Sequence, residues 1–172
     1  DGIAFAQELA GIGERELVPY SRFGTAFVML PPGIKVDIAT ARRESYPEPG
    51  LLPEVEPASL HEDLLRRDFT INSMAIRLGP TGYGTFIDQH GGCRDLRAGI
   101  IRVLHEGSFR DDPTRILRAI RFRARLRYTL DVSTVDLLVQ SVESGMLDEV
   151  SRQRIREEIV AILTEDDAAD SL

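Results

Sequence analysis

The chain has 172 residues, 28 acidic against 21 basic for a formal net charge of −7, with 42% hydrophobic residues and one cysteine. That length can bury a core as one domain or two small ones without covalent staples, and a lone cysteine with no neighbouring histidine cluster excludes an internal disulfide and a structural zinc site. No apolar run nears the roughly 20 residues of a membrane span, the start has no signal-peptide pattern, and the acidic balance excludes a nonspecific polyanion binder; a soluble, reduced, cytoplasmic protein with no membrane partner is expected.

Residues 3–10, IAFAQELA, read as a short amphipathic helix stopped by Gly11 and Gly13. GTAFVML (24–30) and IKVDIAT (34–40) are strand candidates, joined into a hairpin by Pro31, Pro32 and Gly33. From 41 to 58 the prolines and glutamates predict an irregular loop, long enough to be functional. Ser59 caps a short helix, LHEDLLRR, and Glu62 three residues on completes a capping box. TINSMAIRL (70–78) and TFID (85–88) are strand candidates around a GPTG turn, and GIIRVL (99–104) is another. Beyond His105 no strand pattern remains, and three helical periodicities follow over 113–126, 133–145 and 151–163. The expected fold class is α+β, with an α/β half over 1–105 and an all-α half over 106–172.

Positive charge is nearly all arginine, since Lys35 is the only lysine, and it gathers at Arg42–Arg43, at Arg66–Arg67 and along the series from Arg110 to Arg127. Planar, multidentate arginine suits a local phosphate or base site better than a diffuse patch, although a coding bias toward arginine gives the same excess. The stretch RDDPTRILRAIRF (110–122) concentrates the question. Asp112 followed by Pro113 is a helix start, with an Asp cap and a proline where the N–H would be unpaired anyway. Ile116, Leu117, Ile120 and Ala124 then supply a buried stripe, while Arg118, Arg121 and Arg125 fall largely on other faces. A plain surface helix has the same features. What such a helix does not need is Arg115, three residues after Asp112 on the same face.

Asp112 and Arg115 set an anionic acceptor beside a cationic donor. Cytosine and adenine carry an amino donor next to a ring-nitrogen acceptor on their pairing edges, whereas uracil and guanine carry a carbonyl where that amino group would be. A pair of this polarity accepts C and A and repels U and G, with discrimination of about 1–3 kcal/mol per good bidentate contact. Arg66, Arg67 and Asp68 end a helix just before a strand; an Arg/Asp pair there could hold a ribose hydroxyl or a triphosphate, and a local ion pair at a helix C-terminus accounts for it equally well.

VDIATARRESY, EDLLRRDFTINSMAI, FIDQHGGCRDLRAGIIRVL, RDDPTRILRAIRFRARL and SRQRIREEI stand in an order that resembles the bacterial tRNA nucleotidyltransferase and poly(A) polymerase family, class II of the polymerase-β-like nucleotidyltransferases. The resemblance runs from about Phe23 to Leu163 and implies a partial nucleotidyltransferase head over 1–105 followed by a helical, nucleotide-selecting neck over 106–172. It implies that Asp37 is the third acidic residue of the catalytic strands, supporting metal ions of the Mg2+ type, and that Arg67 and Asp68 recognise the ribose. It gives Asp112 and Arg115 the reading of the incoming base, ATP or CTP, with Asp111 where the family usually has Glu. Gly91, Gly92 and Asp95 match a hinge, residues 41–58 a flexible loop linked to switching between bases, and the region around Gln153 and Glu157 a structural neck motif.

The implied activity is template-independent addition of C and/or A to the 3′ end of RNA, tRNA above all. A poly(A) polymerase of the same family and a noncatalytic RNA-binding module remain alternatives, and oligomeric state stays open. The family's glycine-serine loop and paired aspartates do not occur in these 172 residues. Phosphoryl transfer by metal bridging needs several carboxylate ligands, and Asp37 alone cannot organise two cations. The chain as given is therefore expected to be inactive in a primer-extension assay with ATP and CTP, whereas the intact parent is expected to be an enzyme.

Overall fold

The computed structural model describes residues 1–13, 15–20, 24–47, 50 and 52–165. It is an α+β structure, as the sequence predicts, and its chain divides into two compact units: residues 1–43 with 55–63, and residues 44–54 with 64–172.

In the first unit, helix α1 (Gly2–Gly11) begins at Asp1, whose carboxylate accepts from the backbone N–H groups of Ile3 (2.9 Å) and Ala4 (3.3 Å). It lies against a three-stranded antiparallel sheet in the order β1 (Leu17–Tyr20), β2 (Thr25–Leu30), β3 (Ile34–Ala39). Period-two alternation in β2 turns Ala26 and Val28 inward onto Ala6 and Ala10 of the helix, which forms this unit's core. Small residues on both partners let the backbones approach closely: a Cβ on Gly2 would sit 2.7 Å from the Ala39 carbonyl carbon. The hairpin predicted at 24–40 is present. Strand β1 was not predicted, because Pro19 reads as a strand breaker; it is tolerated here because β1 is an edge strand.

The expectation of an irregular loop over 41–58 needs correction. Strands β4 (Arg42–Ser45) and β5 (Glu54–Pro57) pair with each other. β4 is polar throughout, and in β5 a single Val55 stands between two glutamates with prolines at 53 and 57, so neither shows a hydrophobic alternation long enough to mark a strand. Residues 48, 49 and 51 of the predicted loop lie outside the described residues. Helix α2 (Leu60–Leu65) follows, entered through the expected capping box: Ser59 N–H donates to Glu62 Oε2 at 2.9 Å and Glu62 N–H to Ser59 Oγ at 3.3 Å.

The second unit holds a 3-10 turn at Thr70–Asn72, the hairpin β6 (Met74–Ile76) and β7 (Phe86–Asp88), helix α3 (Gly92–Ala98) and strand β8 (Ile100–Ile101). Helices α4 (Ser108–Asp111), α5 (Thr114–Leu126), α6 (Val132–Glu143) and α7 (Arg152–Leu163) complete it. TINSMAIRL is thus a turn followed by a short strand rather than one strand. The expectation of no strand beyond His105 is also corrected: β9 (Thr129–Leu130) pairs in parallel with β8. Composition changes at residue 106, yet the core does not divide there. Phe69, Ile101 and Val103 pack into one cluster with Phe109, Ile116 and Ala119 of the helices.

A buried polar tie holds this core's edge. Asp95, 1% exposed, accepts from Thr70 Oγ1 (2.8 Å) and Arg102 Nε (2.9 Å), and Arg102 also reaches Asp131 at 2.7 Å. Beside it the Asp88 carboxylate accepts from the backbone N–H groups of Gly92 (2.7 Å) and Cys93 (2.9 Å) at the start of α3. Gly92 has no room for a side chain, since a Cβ would meet the Thr70 carbonyl oxygen at 2.2 Å and Met74 Cγ at 2.8 Å.

Two outcomes follow. Gly92→Ala forces backbone apart at a packed contact and should lower stability by about 1–3 kcal/mol in chemical denaturation. Burial alone would raise the Asp95 carboxyl, but the bonds from Arg102 and Thr70 outweigh it and lower it below 3.8. A depressed carboxyl stabilises the fold above its unfolded value and loses that contribution as pH falls through the folded value. Asp95→Asn should therefore be less stable than wild type at neutral pH, with the gap narrowing below about pH 3.8 in denaturation curves taken from pH 7 to 2.

Candidate nucleotide-selecting pocket

Arg115, Asp112, Asp68 and Arg67 line one pocket of the second unit, with a volume of about 530 Å³. That falls within the roughly 300–1,000 Å³ typical of small-molecule sites. Four arginines and three carboxylates line it. Near balance of opposite charges suits recognition by hydrogen-bond polarity better than indiscriminate capture of anions. Ile71, Leu96, Phe122 and Leu126 form its apolar part.

Arg115 is 5% exposed. Its Nη1 donates to Ser108 Oγ at 2.8 Å and to the Ser108 carbonyl at 3.3 Å, and its Nη2 donates to the Arg66 carbonyl at 2.7 Å. All three acceptors are neutral, so the positive charge is oriented without being cancelled. Asp112 caps α5 as expected, its Oδ1 accepting from Thr114 N–H at 3.1 Å and Thr114 Oγ1 at 2.7 Å. The same oxygen accepts from Arg154 Nη2 of α7 at 2.8 Å. All three donors converge on Oδ1 and Oδ2 takes part in none of these bonds. The ion-pair partner of Asp112 is thus Arg154, not Arg115, and the acid and guanidinium come to the pocket on separate supports.

Asp68 follows the same logic. Its Oδ1 accepts from the Phe69 N–H at 3.2 Å, and its Oδ2 is held by Arg118, whose Nε lies 2.9 Å away. Arg118 belongs to the pocket lining although its sequence position was assigned to another face of the helix. Spacing could have found it: Arg115, Arg118, Phe122 and Leu126 recur at three, seven and eleven residues, one stripe of α5. Arg67 lines the pocket as an exposed residue.

Sequence reasoning also missed Glu44 and Tyr46. Both lie in the segment predicted as irregular, where nothing in the pattern marks them. Glu44 accepts from Arg66 Nη1 at 2.8 Å and from the Tyr46 hydroxyl at 2.7 Å. Burial, reinforced by Glu44, pushes the Tyr46 phenol far above its ordinary range, so it remains a donor at any physiological pH. Because Arg66 also offers its carbonyl to Arg115, the Tyr46–Glu44–Arg66 chain ends on the guanidinium itself.

Asp37 belongs to the first unit. It lies on β3, where Lys35 Nζ reaches its Oδ1 at 2.8 Å, and that hydrogen bond raises the Lys35 ammonium above its ordinary value. Among the described residues no three His, Cys, Asp or Glu side chains gather to hold a metal ion. These residues alone do not fit a magnesium centre; Asp37 offers one carboxylate, already engaged by Lys35. Among the described residues no helix is long and apolar enough to cross a membrane.

Comparison with known proteins gives a consistent picture. The family model described as the Poly A polymerase head domain matches residues 2–102. The A-adding tRNA nucleotidyltransferase of Aquifex aeolicus (strain VF5) is 52% identical over 166 residues, 96% of this chain and 20% of that protein. The solved structure of a CCA-adding enzyme in apo form II matches with a TM-score of 0.93 and 47% identity, over 99% of this chain and 40% of that one. A tRNA nucleotidyltransferase complexed with a primer tRNA and an incoming ATP analog matches with a TM-score of 0.87 and 46% identity, over 99% of this chain and 47% of that one. The chain thus spans about a fifth of the Aquifex protein and less than half of either solved chain. With more than half of its residues under that family model, the chain belongs to the family of the Poly A polymerase head domain.

Proposed function

We propose that the pocket of the second unit selects the incoming nucleotide in a tRNA nucleotidyltransferase, admitting ATP or CTP by the polarity of the base's pairing edge. One observation carries this: Asp112 and Arg115 line the same pocket, Arg115 held only by neutral acceptors and Asp112 tied at Oδ1, with Oδ2 outside those bonds. Asp112 Oδ2 accepts the exocyclic amino proton of cytosine or adenine, and Arg115 donates to the adjacent ring nitrogen. Uracil and guanine bring a carbonyl toward the carboxylate and are repelled. Arg67 and Asp68 receive the ribose, with Asp68 Oδ1 as acceptor for a 2′-hydroxyl. The apolar wall of Ile71, Leu96 and Phe122 takes the faces of the nucleoside. Functionally, residues 1–105 serve as head and 106–172 as neck. Asp37 is assigned the third acidic position of the head; one carboxylate engaged by Lys35 is not a magnesium site, so the proposal stands on the second unit.

The similarity to tRNA nucleotidyltransferases, including one solved with primer tRNA and an ATP analog, supports tRNA as the RNA partner. Assayed on tRNA transcripts lacking their 3′-terminal nucleotides, the whole protein should add A and/or C and reject UTP and GTP. A long adenylate tail built on an unrelated RNA would overturn the tRNA assignment. Asp112→Ala should erode the preference for CTP over UTP at least about tenfold in kcat/KM, in keeping with about 1–3 kcal/mol for a bidentate base contact. Loss of the cap alone would cost about 1 kcal/mol of stability and leave the preference intact. A folded Asp112→Ala variant with unchanged base choice would refute the role of Asp112.

A further inference from the structure

Helix α7 carries the neck motif that the sequence marked only as structural. Gln153 and Glu157 of that motif bond to each other at 3.0 Å on the exposed side of the helix. One position further on, Arg154 and Glu158 stand four residues apart and so lie one turn above each other on a common face. Each reaches a residue of the pocket. Arg154 Nη2 donates to Asp112 Oδ1 at 2.8 Å, while Glu158 Oε1 accepts from Arg118 Nη1 at 3.4 Å, and Arg118 in turn holds Asp68 Oδ2.

We propose that Arg154 and Glu158 are positioning residues that set base discrimination and sugar discrimination separately: Arg154 fixes the carboxylate of Asp112, and Glu158 fixes Arg118 and through it Asp68. The assignment rests on the pocket being the nucleotide-selecting site. A carboxylate turns readily about its last torsion, since sp³–sp² rotations have broad minima. Which oxygen it offers, and in which direction, depends on what ties the other one. The Arg154 fork is anchored at its far side too, its Nη1 donating to the Gly50 carbonyl at 3.1 Å. That carbonyl is itself constrained: Gly50 is buried at φ +76°, and a Cβ there would lie 2.4 Å from the Glu149 carbonyl oxygen. Arg154 therefore spans from a constrained carbonyl to the Asp112 carboxylate, and a planar two-pronged cation suits that better than a lysine.

The second clamp is looser. Glu158 sits 3.4 Å from Arg118 and 3.6 Å from Arg121 Nε, distances at which each contact is weaker. Its loss should consequently move selectivity less than loss of Arg154. The clamps meet different pocket carboxylates, so their effects should separate.

The test compares the 172-residue chain and two charge-removing variants, Arg154→Gln and Glu158→Gln, by NMR-detected titration with CTP, UTP, ATP and 2′-deoxyATP, with thermal unfolding of the same samples as the check on folding. Arg154→Gln is expected to lower the CTP-to-UTP affinity ratio about tenfold, the scale of one base contact. Its ATP-to-2′-deoxyATP ratio should stay within about twofold, as for independent sites. Glu158→Gln should show the converse pattern, with the ribose ratio falling about threefold, the scale of one modest hydrogen bond. Arg154→Lys keeps the charge, loses the fork and should shift the base ratio in the same direction, which maintains the test if the glutamine variant fails to fold. A wild-type chain that favours CTP over UTP, with variants that change neither ratio or lower both together, would overturn the separate clamps. A wild-type chain that binds CTP and UTP equally would instead defeat base reading by the pocket.

Discussion

A buried guanidinium must find acceptors for its N–H groups or carry an uncompensated desolvation cost of several kcal/mol. Arg115 solves this with backbone and hydroxyl oxygens, taking the Ser108 carbonyl and hydroxyl on one side and the Arg66 carbonyl on the other. The helical region from α4 onward and the turn after α2 are thereby fastened through a single cation. Neutral acceptors orient the group while leaving its charge to act on whatever enters. A carboxylate partner would have oriented it equally well and cancelled that charge.

The carboxylates of the pocket are oriented in their turn, each by an arginine, with Asp112 and Asp68 also accepting from a backbone N–H. Asp112 is tied at Oδ1, and Asp68 is held at Oδ2 by Arg118. Glu44, engaged by Arg66 and Tyr46 on its two oxygens, acts as a strut. Opposite charges in alternation make the site stiff where it must be stiff, since movement of one group breaks a bond of its neighbour. Side chains from residues 44–46, 66–72, 112–126 and 154–158 take part in this network, which explains why it belongs wholly to the second unit.

The sequence shows the elements that obey a period and hides those that do not. Helix α5 and the β2–β3 hairpin are legible because their buried residues recur at the spacing of helix and strand. Strand β1 is hidden by Pro19, β4 by polar residues on both faces, β5 by Pro53 and Pro57 around a single valine, and β9 by its length of two residues. The compositional break at 106 is not a break in the core: Phe69, Ile101 and Val103 pack with Phe109 and Ile116 across it, and such sharing leaves no local mark. In the pocket, Asp112 and Arg115 are legible as a pair at helical spacing. Their supports are not, because Arg154 lies 42 residues from Asp112 and the Arg66 carbonyl 49 residues from Arg115, and only the folded chain brings them together.

The single uncommitted oxygen of Asp112 carries a consequence for size. Amino donor and ring acceptor stand in the same relation on a one-ring pyrimidine and a two-ring purine, so a lock keyed on polarity is blind to ring number. On the base reading proposed above, a choice between cytosine and adenine falls to depth, against Ile71, Leu96, Phe122 and Leu126. Such a choice is one of dispersion and fit, and it should persist at ionic strengths that screen exposed charges.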